Sequence, residues 1–148
     1  MVKPSDIVVI ATLAVGAGTA AVIDLRTRRV PNPLTALLAS AGLLLAATGL
    51  SGVSFAASLV GLSLGLALML PGHFFGATGA GDVKLFAASG ALIGPVPIAV
   101  AFVYTVIAGG VLALAVLAYR RRQGQHGDHH FAYAPAILVG TFIAALGR

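Results

Sequence analysis

IVVIATLAVGAGTAAVIDLRTRRVPN, residues 7–32, decides the architecture of this chain. Its first 17 residues, 7–23, carry no charge. At 1.5 Å per residue they make a helix of about 26 Å, enough to cross a slightly thin membrane. Asp24 follows at once, then Arg26, Arg28 and Arg29, and Pro31 breaks the helix. A signal peptide is basic before its apolar core, whereas here the basic cluster comes after it. The flank therefore predicts a retained membrane helix with its basic end on the cytoplasmic side.

The rest of the chain has the same character. Of its 148 residues 59% are hydrophobic and 9% are charged, and the mean hydropathy is +1.03. A soluble domain carries about 25% charged residues, so there is too little polar surface here to cover a water-soluble globule. Further apolar stretches run over residues 34–50, 53–70, 83–93, 98–119 and 131–146. Pro31 and Pro33, Gly49 and Gly52, Pro71 and Gly72, and Gly94, Pro95 and Pro97 punctuate them. The expected fold is all-α: one domain over residues 1–148, a polytopic membrane helix bundle of about six segments. The fourth stretch, 11 residues or about 16 Å, is too short to span alone, and must start deeper, include the Gly-rich loop before it, or sit in a thinned bilayer. Recurrent small residues, such as Gly61, Gly65, Gly109 and Gly110, suit close helix packing in a membrane.

Charge placement sets the expected topology. Arg26, Arg28, Arg29, Lys84, Arg120, Arg121 and Arg122 fall on one side, seven of the nine basic residues. Lys3 and Arg148 fall on the other. Both termini are therefore expected outside, in a cytoplasmic membrane. The net charge of +5 follows this asymmetry, and no run is both basic and aromatic, so nucleic acid is not an expected partner. Cysteine is absent, which excludes disulfides and thiolate chemistry.

Against this background Asp24 and Asp82 are conspicuous. The chain has four acidic residues, all aspartates. An ionisable group at membrane depth costs about 3 kcal/mol or more. Asp24 closes the first stretch and Asp82 opens the fourth, at similar depth, so a bundle could bring them together. Two carboxyls a few Å apart share a proton and supply one acid and one base. That pair can hydrolyse a peptide without a metal or other cofactor. A structural alternative stands beside it, in which Asp82 caps a helix and Asp24 pairs with Arg28 four residues on.

Gly79-Ala80-Gly81-Asp82 adds a turn that a substrate backbone could approach closely. Gly79 and Gly81 are accordingly candidate substrate-binding residues, expected to admit an extended segment. Lys84 is grouped with them, although two residues past Asp82 it falls on a nearly opposite helix face, as an interfacial anchor would. His126, His129 and His130 form a loop in which no Cys or Glu completes a metal site. His73, with Phe74 and Phe75, is expected at the headgroup level.

Residues 24–32, residues 79–84 and the late Tyr133-Ala134-Pro135-Ala136-Ile137 together resemble type IV prepilin peptidases, most closely the small TadV/CpaA-type form that processes Flp-type prepilins. The resemblance covers nearly the whole chain. It implies an intramembrane aspartic endopeptidase of the GxGD kind with Asp24 and Asp82 as its catalytic aspartates. It implies cleavage of a short basic leader at the cytoplasmic face, and a pilus or type II secretion assembly as the surrounding machinery. The larger members carry paired cysteines in an added region and also methylate the new N-terminus. No such region precedes Asp24 here, and methyl transfer is not expected. The alternatives to a peptidase are a small ion-coupled transporter or channel component, and a structural membrane subunit.

Overall fold

A computed structural model describes residues 3–122 and 133–147. Among the described residues the chain forms six helices and no strand. They are α1 (Pro4–Thr27), α2 (Asn32–Ala47), α3 (Phe55–Phe74), α4 (Ala80–Ile93), α5 (Pro95–Arg122) and α6 (Ala134–Leu146). The protein is a polytopic membrane helix bundle. By length and apolarity α1, α3 and α5 can each cross a membrane, and α2 and α6 are shorter apolar helices. Many large apolar side chains face outward, among them Val15, Leu37, Val103, Ile107 and Leu114, as a lipid-facing surface requires.

The helix ends follow from local chemistry. Pro4, Pro33 and Pro135 stand in the first turns of α1, α2 and α6, where a missing N–H costs nothing. Ser54 caps α3 by accepting from the Ala57 N–H at 3.2 Å. Gly94, with φ of 83°, is the single residue that turns the chain from α4 into α5. Two of the boundary differences from the sequence expectation have a plain local cause. α3 runs on through Pro71 to Phe74, because a proline so near the C-terminal end removes one hydrogen bond and the last turn still closes, Phe75 N–H on Pro71 O at 3.0 Å. α4 begins at Ala80 rather than 83, so the Gly-rich turn belongs to its first turn.

α4 has 14 residues, about 21 Å, and remains too short to span. It is instead the centre of the bundle. From Val83 onward all of it but Lys84 is buried, and all five other helices touch it. A helix apolar on every side belongs inside. Small residues bring the neighbours close. A Cβ on Gly61 of α3 would collide with the Gly90 carbonyl of α4, and one on Gly42 of α2 would reach Ala91 at 3.0 Å. The buried Ser58 hydroxyl donates to Ala91 O at 2.6 Å across the same seam. α1 by contrast packs broadly on α6 and only sparsely on α2. Between α1 and α2 lies an open apolar cleft of about 420 Å³.

Candidate active site

Both singled-out aspartates sit at the end of the bundle where α1 stops and α4 starts. α1 closes when Arg28 adopts the left-handed conformation, φ 53°, and its N–H bonds Asp24 O at 2.7 Å. Asp24 therefore lies one turn inside the helix end, on its buried face, 5% exposed. Its Oδ2 accepts the Ala134 N–H at 3.1 Å, the first residue of α6. A helix N-terminus offers free N–H groups and a favourable dipole to a carboxylate. Asp82, 8% exposed, occupies the third position of α4, and its Oδ2 accepts the Gly79 N–H at 2.9 Å. Its Oδ1 is buried with no hydrogen-bond partner among the described residues. A buried carboxyl oxygen without a partner is costly to maintain.

The two side chains line one cavity of about 230 Å³, closed by Arg28, Arg29 and Val30 on one side and the 79–81 turn on the other. Asp24 is close enough for its charge to act on Asp82. Arg28 has left the helix, and no ion pair joins it to Asp24 among the described residues. The structural alternative for Asp24 is thus replaced by a hydrogen bond to α6. The alternative for Asp82 is realised, since Asp82 caps α4 and lines the cavity with its other oxygen free.

The three flanking candidates divide. Gly79 has an ordinary φ of −74°, and a Cβ there would meet Asp82 Oδ2 at 3.1 Å. A Cβ on Gly81 would meet Val30 Cβ at 2.9 Å and Val30 O at 3.1 Å. The bare side of Gly81 is filled by the chain's own α1–α2 connection. Lys84 is exposed and faces away from the cavity of the two aspartates, where its Nζ donates to Asn32 Oδ1 at 3.0 Å. His73 Nδ1 lies 3.1 Å from Thr78 O, and Phe74 and Phe75 are exposed beside it. His126, His129 and His130 lie outside the described residues. Among the described residues no three His, Cys, Asp or Glu side chains cluster as metal ligands do.

Two elements of the site were not read from the sequence. One is the Ala134 N–H on Asp24, which Pro135 could have signalled because proline in a first turn marks a helix start with free N–H groups. The other is Tyr133, whose ring lies over Gly109. Its hydroxyl donates to Thr105 O at 3.4 Å, and it is near enough to Asp82 to sense its charge.

A membrane-embedded helical bundle that buries two carboxyls in one small cavity has the form of a membrane peptidase. The sequence matches the type IV leader peptidase family over residues 11–114, more than half of the chain and including both aspartates, and the chain belongs to that family. No curated protein and no solved structure matches it.

Proposed function

We propose that the protein is an intramembrane aspartic endopeptidase that removes the short basic leader of Flp-type prepilins at the cytoplasmic face of a prokaryotic cytoplasmic membrane. One observation carries this reading. Asp24 and Asp82, 58 residues apart in sequence, are buried against one cavity, each with one oxygen fixed by a backbone N–H. Neither is neutralised by an arginine among the described residues.

The pair holds one proton between its carboxyls. Asp24, facing the positive end of α6, is the base and takes a proton from water. The water oxygen attacks the scissile carbonyl carbon. Asp82, through its unpartnered Oδ1, gives its proton to the carbonyl oxygen. Collapse of the tetrahedral intermediate breaks the C–N bond, the departing amine takes the proton from Asp24, and the carbonyl re-forms as its hydroxyl proton returns to Asp82. No metal or cofactor enters the sequence of steps. A helical substrate hides its carbonyls, so the scissile segment must be extended and would lie along the cavity edge at Gly79, whereas Gly81 seats Val30 in the cavity wall. The cationic rim of Arg28 and Arg29 repels a basic leader, which leaves recognition to shape and to the apolar helix that follows the leader. Lipid surrounds the bundle, and the processed subunits pass to a pilus or secretion assembly.

The test is cleavage of a purified Flp-type prepilin in liposomes, with the product mass determined, by the unaltered chain and by Asp24→Asn and Asp82→Asn. Each variant is expected to lose cleavage while keeping the thermal unfolding midpoint. A folded variant that still cleaves would remove the dyad, and flux without proteolysis would favour a transporter.

A further inference from the structure

The α1–α2 connection, residues 28–31, forms one wall of the cavity, and its first end is tied to α1 by the Arg28 N–H on Asp24 O at 2.7 Å and the Thr27 hydroxyl on Arg29 O at 3.2 Å. α1 and α2 touch only sparsely and an apolar cleft separates them. Between the left-handed Arg28 and the start of α2 at Asn32 the connection has no regular structure, and Pro31 is extended. Its other attachments lie on α4. Val30 packs on Gly81 so closely that a Cβ there would strike it. One turn further on, Lys84 Nζ bonds the Asn32 side chain across 52 residues of sequence. Asp82 lies between these two contacts on the same helix turn.

We infer that Lys84, acting through Asn32, is a positioning residue that clamps the α1–α2 connection onto the first turn of α4 and so sets the shape of the cavity between Asp24 and Asp82. This rests on the peptidase proposal for its catalytic consequence but not for its structural one. Lys84 is exposed and touches no part of the cavity, so it acts on the reaction only through the wall it holds. A small misplacement of a reacting group is enough to slow catalysis strongly. The clamp is a charge-assisted hydrogen bond whose two partners sit on different helices, and its geometry suits an ammonium or a guanidinium donor but not an apolar side chain.

The chain lacks cysteine and its exposed Lys84 can be replaced without opening the core, so the full-length protein in nanodiscs serves for the test. Lys84→Met is expected to lower kcat for prepilin cleavage about tenfold and leave KM within about twofold, as loss of alignment without loss of binding does. Asn32→Ala is expected to match it, the double variant to fall no further than either single one, and Lys84→Arg to recover the rate. Independently of any activity, hydrogen exchange over residues 28–36 is expected to quicken in Lys84→Met and Asn32→Ala and to stay unchanged in Lys84→Arg. A rise in KM alone would make Lys84 a substrate contact and overturn the inference. So would double-variant losses that multiply, or unchanged exchange in Lys84→Met. A chain that cleaves no prepilin at all would remove the peptidase proposal, and the exchange result would still decide the clamp.

Discussion

Asp82 is held by an N–H three residues away in the chain, and Asp24 by an N–H 110 residues away. The two carboxyls look alike in the finished fold: each is buried and each has one oxygen on a backbone donor at the start of a helix. They are built differently. The Asp82 cap forms as soon as the first turn of α4 forms, because Gly79 and Asp82 belong to one capping unit. The Asp24 contact exists only when α1 and α6 are packed together. One acid is placed by local geometry and the other by the tertiary fold, and the cavity needs both.

Replacement of either acid should erase the difference. Asp24→Asn and Asp82→Asn are each expected to lower kcat by about 10³-fold or more, since an acid–base pair works as a unit. A markedly smaller loss for one of them, measured by single-turnover cleavage, would show that the two do not share the chemistry. Removal of the tertiary donor comes next. Ala134→Pro deletes the N–H on Asp24, and a hydrogen bond to a charged group contributes about 1.5–3 kcal/mol, so cleavage should fall about 10- to 100-fold. Thermal unfolding in the same sample separates this from strain at Tyr133, whose helical ψ of −21° a following proline disfavours.

The glycine pair sharpens the comparison further. Gly81→Ala drives a methyl against Val30 and should cost about tenfold in kcat through displacement of the cavity wall, with Val30→Gly in the same chain restoring part of it. Gly79→Ala keeps the N–H that caps Asp82 and has a compatible φ, but its methyl presses on Asp82 Oδ2, so a smaller loss, about threefold in rate and about 1 kcal/mol in stability, is expected. A large loss at Gly79 with none at Gly81 would reverse the assignment of which glycine is sterically required.

The legibility of these parts from sequence follows the same division. The helix count, the punctuation and the two acids could be read because each is local: apolar runs, prolines, glycines, and an ionisable residue in an acid-poor chain. The cap at Asp82 could be read for the same reason. The partner of Asp24 could not, since Arg28 at the helical spacing of four is the obvious candidate and only the left-handed turn at Arg28 removes it. The apolar run alone begins α4 at Val83, and of the ways to lengthen it the structure takes the Gly-rich loop, where Asp82 capping outweighs the poor helix propensity of glycine. Pro71 misled in the opposite direction, because a proline in the last turn leaves most of the helix hydrogen bonds intact. The central position of α4 was half visible. Its length excluded a span, but nothing in a short apolar run says that five helices will close around it.

The 110-residue reach of the Asp24 contact also sets a moment in the life of the chain. Asp24 leaves the ribosome 110 residues before the Ala134 amide. A nascent chain that has inserted α1 through α5 carries both carboxyls but leaves Asp24 without its backbone donor. The arrangement of the two carboxyls is complete only once α6 docks, so it is a product of helix packing and not of membrane insertion alone.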